Sequence, residues 1–246
     1  MTPDNSVKLP RRGAKDILRA TVLPSLWQRS SYVHTGEVRH ALAKAGARIQ
    51  PAAFNRYLHE LMVQGAICSA GRGWYSSLAT SFSLNCEPVQ GIVAELEKQF
   101  PLLDFSCWST GQVGSYGHNL LAKFVTFVYV ERDAMTGVFE FLRDAGYDAH
   151  LNPRGAAARQ FAIRKRTVVV RAKMITQPTD GHYTRIEGLL VDLFIESRDL
   201  RLMDDGDFFQ LFMNLTRSAR ISMAQLVDYA RRRKPATNDL LQSIKR

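Results

Sequence analysis

Asn55, Arg56 and His59 are three hydrogen-bonding side chains in the segment from Pro51 to Gly65. On a helix with 3.6 residues per turn they share the side that also carries Ala52. Arg and Asn side chains pair with guanine and adenine edges in the major groove of duplex DNA, through two hydrogen bonds each. This spacing therefore predicts a helix surface that reads base pairs.

The predicted reading helix needs a partner helix, and the preceding residues supply one. The partner begins at Thr35, whose hydroxyl we expect to cap the first turn, and ends at Gly46, which suits a left-handed conformation. Ala47 to Gln50 forms the turn. Pro51 fits the first position of the second helix because its φ is fixed and its missing N–H is not needed there. The buried stripe of that helix is predicted to be Phe54, Tyr57, Leu58, Leu61 and Met62.

A β-hairpin is predicted directly after the two helices. Its strands run from Ala66 to Ser69 and from Gly73 to Ser77, and Arg72 lies at the tip, where we expect it beside a phosphate or the minor groove. An earlier helix from Gly13 to about Trp27 is predicted to end or bend at Pro24. Together these elements predict a winged helix-turn-helix. The alternative is an amphipathic helix pair whose basic face is only solvated.

The predicted DNA-binding residues fall into groups by their expected contacts. Base edges are expected to be read by Asn55, Arg56 and His59. Phosphates are expected to be held by Arg39, Arg48 and Arg72, and Gln50 and Ala52 belong to the same surface. The last long predicted helix ends in Arg231, Arg232, Arg233 and Lys234. This basic cluster indicates either a second DNA contact or a solvated helix end, where cations are also favourable.

The charge of the chain is unevenly distributed. The 246 residues carry a formal net charge of +10, and 46% of them are apolar, which is typical of a globular protein. Residues 1–85 hold 11 Lys and Arg against 4 Asp and Glu, whereas residues 86–246 hold 22 against 19. A positive field concentrated on the first third attracts a polyanion, and nucleic acid is the polyanion that the predicted motif favours.

Cysteine usage and hydropathy favour a cytoplasmic protein. Three widely spaced cysteines, Cys68, Cys86 and Cys107, provide neither a disulfide framework nor a four-ligand zinc site. The N-terminus lacks the apolar core and cleavage site of a signal peptide, and no run approaches the roughly 18 apolar residues that span a bilayer. We therefore expect a reducing compartment and no membrane partner.

The remaining chain predicts a second domain over residues 86–246, with the first over residues 1–80 and a Ser-rich boundary between Ser76 and Pro88. Helices are predicted from Pro88 and at 110–123 and 134–145, and strands at 102–108, 124–131, 149–151, 160–163 and 167–173. Further helices follow Thr184 and lie at 204–218 and 223–233, with capping boxes expected at Thr184 to Glu187 and Ser222 to Gln225. The predicted fold class is α+β, with a winged helix-turn-helix followed by a mixed α/β domain that has a helical C-terminal part.

Enzyme motifs are incomplete in this sequence. Gly114 to Gly117 faintly resembles a nucleotidyltransferase loop with Glu131 and Asp133 as metal-binding acids, but the spacing is long and Arg132 separates the acids. The six histidines form no i, i+4 pair and no H-E-x-x-H motif, so no zinc site is predicted. The capping box accounts for Glu187. We predict no enzyme, catalytic residue, metal or cofactor, and a metal-dependent nucleic-acid-processing enzyme is the weakest alternative.

Four sequence blocks that follow the predicted DNA-binding part resemble the AbiEi family of antitoxins from abortive-infection type E toxin-antitoxin operons. The blocks are FSCWST (Phe105 to Thr110), FVTFVYVERDAMTGVFEFL (Phe124 to Leu142), YTRIEGLLVDLF (Tyr183 to Phe194) and LVDYARRR (Leu226 to Arg233). The resemblance covers most of the chain in the right order.

The resemblance implies a transcriptional autorepressor encoded beside a nucleotidyltransferase toxin. In this family the N-terminal domain binds inverted repeats near the operon's own promoter, and the C-terminal domain counters toxicity, usually without a stable complex with the toxin. A protein-interaction module is the alternative from a different class. In that case the C-terminal domain binds a partner, such as the toxin itself, and the basic N-terminal part is incidental.

Overall fold

The computed structural model describes residues 13–117, 124–174, 176–234 and 236–244, and it is a mixed α+β structure with a helical C-terminal part. The chain divides between Ala79 and Thr80 into two compact units, called unit 1 and unit 2 below. No helix in the described ranges has both the length and the apolar character that a membrane crossing requires.

Unit 1 consists of short helices around a small antiparallel sheet. Its elements are α1 (Ala14–Ile17), a π-helical segment (Leu18–Val22), α2 (Leu23–Trp27), β1 (Tyr32–His34), α3 (Thr35–Lys44), α4 (Pro51–Val63), β2 (Cys68–Ser69) and β3 (Trp74–Ser76). The strand order is β1-β3-β2. Strand β1, which the sequence pattern did not predict, pairs Val33 with Tyr75 and places β3 in the centre of the sheet. Its three residues are too few to show an alternating pattern.

The helix predicted from Gly13 to about Trp27 is present from Ala14 to Trp27 and does not end at Pro24. The π-helical segment Leu18–Val22 lies directly before α2, in which Pro24 occupies the first turn. Proline lacks the N–H that an α-helix interior requires, and a π-helical turn changes the hydrogen-bond register ahead of it. The stretch from Ala14 to Trp27 therefore stays helical.

Helix α3 starts at Thr35 as predicted, but its cap is different. The ring Nδ1 of His34 accepts a hydrogen bond from Gly36 N at 3.2 Å, and the Glu37 carboxylate accepts one from His34 N at 3.3 Å. The Thr35 hydroxyl instead donates to Gly73 O at 2.8 Å. The predicted Thr35 cap is therefore wrong, because this hydroxyl is used by the hairpin.

Unit 2 is built on a six-stranded mixed sheet with the strand order β6-β7-β5-β4-β9-β8. Its first elements are α5 (Glu87–Gln99), β4 (Phe105–Ser109), β5 (Val125–Val130), α6 (Met135–Asp144), β6 (Asp148–Leu151), α7 (Gly155–Arg159), β7 (Thr167–Ala172), β8 (Thr179–Asp180) and β9 (Tyr183–Thr184). Strands β4 and β5 are antiparallel, whereas β7 runs parallel to both β5 and β6. Val128 and Val170 on one face of the sheet share an apolar core with residues of α5 and α6.

Four helices follow the sheet in the described part of unit 2, and the first of them is buried. They are α8 (Ile186–Leu200), α9 (Asp205–Ser218), α10 (Met223–Arg232) and α11 (Asn238–Ile244). Helix α8 is buried at every residue from Ile186 to Ser197. The caps of α9 and α10 are Asp204, which accepts from Asp207 N at 2.7 Å, and Ser222, which accepts from Gln225 N at 3.4 Å. Helix α11 was not predicted.

Two predicted elements of unit 2 are absent where the structure describes them. Residues 160–163 form no strand, and the helix α7 ends just before them. Residues 110–116 form two 3₁₀ turns instead of an α-helix, because the Ser109 hydroxyl accepts from Gly111 N and the Thr110 hydroxyl accepts from Val125 N. The rest of that predicted helix, residues 118–123, lies outside the described residues.

The predicted capping box at the start of α8 is wrong. Thr184 belongs to β9, and its buried side chain packs beside Gly188, so its hydroxyl does not cap the helix. The carboxylate of Glu187 accepts a hydrogen bond from Ser222 N at 2.6 Å, which joins α8 to the start of α10. A tertiary contact thus replaces the local one.

Candidate nucleic-acid interface

Helix α4 has one buried and one exposed side, as predicted. Phe54 and Leu58 are 1% exposed and Leu61 is 0% exposed, and all three belong to the apolar core of unit 1. The opposite side is exposed, with Ala52, Asn55, Arg56, His59 and Val63 on it. Burial of the apolar stripe fixes the rotation of the helix, so the hydrogen-bonding side chains face solvent.

The connection between α3 and α4 brings the start of α4 to the surface. Gly46 has a φ of +79°, which ends α3, and Ala47 N donates to Leu42 O at 3.1 Å. Arg48 and Gln50 in the connection are exposed. Pro51 takes the first position of α4 as predicted. The exposed end of α4 is therefore flanked by a cation and an amide.

The hairpin of β2 and β3 is fastened to the first residue of α3. Both the backbone N–H and the hydroxyl of Thr35 donate to Gly73 O at 2.8 Å. The rings of His34 and Trp74 meet edge to face at 5.1 Å. Gly71 and Gly73 have φ values of +94° and +76°, which glycine adopts without strain, and Arg72 lies exposed between them. The structure thus presents Arg72 on a fixed loop.

Positive charge predominates in the described part of unit 1. Residues 13–79 hold eight Lys and Arg against three Asp and Glu. Glu60 is shared by two of these cations, with Lys15 at 2.5 Å and Arg56 at 3.8 Å. The hydrogen bond from Lys15 lowers the pKa of the Glu60 carboxyl. Because Lys15 holds Glu60, the ion pair between Arg56 and Glu60 is long and solvent-exposed, and a phosphate or base edge would displace it at little cost. The Arg56 guanidinium also lies 5.6 Å from the centre of the Tyr57 ring.

Arg39 is the one predicted phosphate contact with close neighbours on α4. Its guanidinium lies 4.9 Å from the centre of the Phe54 ring. Its Nη2 donates to Asn55 Oδ1 at 3.5 Å. Arg39 therefore connects α3 to two consecutive residues of α4, one buried and one exposed.

The basic cluster at the end of α10 is divided by its environment. Arg233 is largely buried, since its side chain is 13% exposed and its Nη1 lies 2.9 Å from Asp192 Oδ1. Arg232 pairs with Asp228 at 3.1 Å on the surface, and Arg231 and Lys234 are exposed. The structure corrects the predicted second DNA contact in this respect: the Arg233 guanidinium is directed into unit 2 and is not available to a phosphate.

A buried ion pair in unit 2 was missed by sequence reasoning. Arg171 on β7 and Glu196 on α8 are 2% and 1% exposed, and Arg171 Nε donates to Glu196 Oε1 at 3.0 Å. Arg171 Nη1 also donates to Asn152 Oδ1 at 3.0 Å and to Pro153 O at 2.9 Å. The carboxylate of Glu196 neutralises the buried Arg171 guanidinium, and these hydrogen bonds occupy its N–H groups, as a charge inside a protein requires.

Asp192 forms a second buried polar group one helical turn before Glu196. Its carboxylate accepts from the Tyr229 hydroxyl at 2.9 Å and from Gln177 Nε2 at 2.7 Å, in addition to its pair with Arg233. Burial raises the pKa of Asp192 to about 6, although the charge of Arg233 opposes this shift. The signal in the sequence was two acids at i and i+4 within the apolar run of α8.

The residues considered for metal-dependent chemistry are not brought together. Ser115, Glu131 and Asp133 are exposed, and Glu187 is engaged with Ser222. Among the described residues no group of three or more His, Cys, Asp and Glu side chains is placed to hold a metal ion. The exposed face of α4 with the adjoining hairpin is therefore the best-formed candidate site.

Comparison with protein families identifies the family of this chain. A family model described as a family of unknown function (DUF6577) matches residues 53–246. This range includes Asn55, Arg56 and His59 together with all of unit 2. No curated protein matches the chain.

Proposed function

Since the chain belongs to the DUF6577 family, whose function is unknown, we propose a function from its own residues: a sequence-specific DNA-binding transcriptional regulator. In this proposal unit 1 is a winged helix-turn-helix. Helix α4 enters the major groove, α3 crosses behind it, and the β2–β3 hairpin is the wing. The DNA is double-stranded, because a helix that reads base edges needs a groove of duplex width.

The observation that carries the proposal is the composition of the exposed side of α4. Ala52 at its start is small enough for close approach, and the amide, guanidinium and imidazole that follow are hydrogen-bonding groups suited to base edges. These groups belong to Asn55, Arg56 and His59. Arg48 is exposed before the helix and Arg72 is exposed on the hairpin that follows it, so both cations are free to contact phosphates.

The biological role that we propose is autorepression within a toxin-antitoxin operon. It rests on the resemblance of the blocks in unit 2 to AbiEi antitoxins, which bind inverted repeats at their own promoter. The functional partner is then a nucleotidyltransferase toxin that forms no stable complex with the antitoxin. No catalytic step by this chain is part of the proposal.

Fluorescence anisotropy with the full chain tests DNA binding. The probe is a labelled duplex from the region upstream of its own gene, and the competitor is a shuffled duplex of the same composition. We expect the upstream duplex to bind more tightly by about 10³-fold or more, with an affinity that falls steeply with salt. Equal affinities for the two duplexes would overturn the proposal.

Arg56→Ala is the matching variant, with Arg132→Ala as its control. Both positions are exposed, and each change removes one positive charge. We expect Arg56→Ala to cost about 1–3 kcal/mol on the upstream duplex and to relax specificity there. Arg132 belongs to unit 2 and is not part of the proposed surface, so its replacement should leave discrimination unchanged. Equal effects of the two variants would remove Arg56 from base reading.

Expression of the neighbouring reading frame, alone and together with this chain, tests the antitoxin role. We expect the neighbour to be a nucleotidyltransferase that stops growth when it is expressed alone, and growth to recover when both are present. Co-purification of the two products at high salt would instead favour the alternative of a protein-interaction module. Absence of any growth effect would separate DNA binding from the operon role.

A further inference from the structure

We infer that Arg39 positions Asn55 for reading an adenine, so that α3 contributes to base recognition through α4. The inference rests on the proposed function, because it assigns a role within the same DNA-binding surface. It replaces the expectation that Arg39 holds a phosphate. The partner that it specifies is the adenine of an A·T pair in the major groove.

Two neighbours on α4 restrain the Arg39 side chain. The Phe54 ring, 1% exposed and part of the core of unit 1, provides a fixed face 4.9 Å from the guanidinium carbon. The amide oxygen of the next residue, Asn55, accepts from Arg39 Nη2 at 3.5 Å. A guanidinium is attracted to an aromatic face and is planar, so the ring also orients its N–H groups.

The hydrogen bond from Arg39 selects one orientation of the Asn55 amide. A terminal amide has an acceptor end and a donor end, and a free Asn exchanges them by rotation. Arg39 offers only donors, so it favours the orientation in which Oδ1 faces α3. The oxygen keeps a second lone pair, and both N–H groups of Nδ2 remain available.

An Asn55 amide ordered in this way matches the major-groove edge of adenine. Adenine presents an N6 amino donor and an N7 acceptor in the major groove, and Asn pairs with both at once. Guanine presents two acceptors at the corresponding atoms. An Asn55 whose acceptor end is fixed therefore favours adenine, and loss of Arg39 reduces the preference without moving the helix.

Arg48 provides the comparison, because it is exposed in the turn before α4 and makes no ring or amide contact with the residues that the structure describes. A phosphate contact contributes charge and no base preference. Arg39 and Arg48 each carry one positive charge on the proposed surface. They differ because only Arg39 contacts the Asn55 amide and can orient it.

The experiment is a double-mutant cycle on the duplex from the chain's own upstream region. Footprinting first defines the bound segment, and each base pair of it is then replaced in turn. We expect Arg39→Ala and Asn55→Ala each to weaken binding about tenfold and to abolish the preference at the same A·T pair. The double variant should bind about as weakly as either single variant, since both remove one interaction.

Two further variants separate positioning from charge. Arg39→Lys keeps the charge but lacks the planar donor group, so we expect it to retain the salt dependence of binding and to lose the preference for adenine. Arg48→Ala should lower the slope of log affinity against log salt by about 1 and keep the preference for adenine. Its loss of affinity should multiply with that of Asn55→Ala, because the two residues act independently. Circular dichroism and thermal unfolding of every variant establish that the effects belong to folded protein.

Multiplicative losses for Arg39→Ala and Asn55→Ala would overturn the inference, as would an Arg39→Lys variant that binds like the parent. Either result leaves the proposed function intact, because the parent still discriminates between duplexes. A parent chain that binds the upstream and shuffled duplexes equally overturns the proposed function and this inference together.

Discussion

Charged side chains are used in opposite ways in the two units. In unit 1, Arg56 and Glu60 face solvent, and the core beneath them is apolar. In unit 2, Arg171 and Glu196 are almost completely buried and pair with each other. The same residue types therefore lie at the surface in one unit and hold elements together in the other. Exposure, and not residue type, decides which arginines are available to a polyanion.

The energetic consequences of the two arrangements differ. An exposed ion pair contributes little to stability because water already solvates both charges. Removal of one member of a buried pair leaves the other charge without a partner in a medium of low polarity, which costs several kcal/mol. The comparison therefore predicts large folding effects in unit 2 and mainly binding effects in unit 1.

The largest expected effect belongs to Glu196→Ala. It leaves the Arg171 guanidinium without its carboxylate, and we expect a loss of about 3–5 kcal/mol in the free energy of unfolding. Urea unfolding monitored by Trp108 fluorescence, in a chain with Trp27 and Trp74 replaced by Phe, measures it. Asp228→Ala is the control, since it removes an exposed pair with Arg232 in the same unit. Equal shifts of the two midpoints would break the comparison between buried and exposed charge.

Asp192→Asn is expected to change the pH dependence of unfolding. Burial raises the pKa of Asp192 from 3.8 to about 6, so between these values the folded state holds a proton that the unfolded state has released. The contribution of Asp192 to the free energy of unfolding is fully present below about pH 4. It decreases by about 3 kcal/mol as the pH rises through 6. The stability difference, parent minus Asp192→Asn, should fall over that interval in urea titrations at several pH values. A constant difference contradicts the assignment.

Arg72→Ala is expected to act on binding and not on folding. Its guanidinium is exposed on the hairpin, so its loss should weaken binding to all duplexes alike and lower the salt slope by about 1. Anisotropy titrations at several salt concentrations, with both the upstream and the shuffled duplex, measure this. A selective loss on the upstream duplex alone would assign Arg72 to base reading.

The smallest effect is expected for Glu60→Gln. The hydrogen bond from Lys15 lowers the pKa of this carboxyl, so its contribution is present at neutral pH and is lost on acidification. The carboxyl is solvent-exposed, so water screens this contribution, and we expect the shift of the unfolding midpoint at neutral pH to be too small to measure. DNA affinity should rise slightly because a negative charge beside Arg56 is removed. A clear drop in stability would show that exposed pairs matter in unit 1 as buried ones do in unit 2.

Sequence patterns predicted the local structure of unit 1 well. The structure confirms the starts of α3 and α4, the left-handed conformation of Gly46 and the buried side of α4. Each of the two helices ends two residues before the predicted glycine. The amphipathic period and the turn residues act over a few neighbouring positions, so they can be read directly. Strand β1 was missed because its three residues gain a partner only when β3 folds against them.

Unit 2 shows where sequence reasoning reaches its limit. The spacing of Thr184 and Glu187 satisfies a capping box, yet Glu187 bonds to Ser222, which is 35 residues away. Arg171 interrupts a valine-rich strand, and Arg233 lies in a run that looks solvated, yet both are buried beside carboxylates of α8. A pattern in the sequence gives the chemical type of each side chain but not the distant group that it meets.

Local sequence patterns are sufficient to predict the amphipathic helices of unit 1, the glycine and proline positions that end and begin them, and the basic first third of the chain. These properties depend on residues close together along the chain. The tertiary structure alone decided that Arg39 meets Asn55, that Arg233 turns inward, and that Asp192 and Glu196 lie in a buried polar cluster. Each of these depends on the packing of distant segments, because an ionic or polar group is stable inside a protein only where another element supplies its partner.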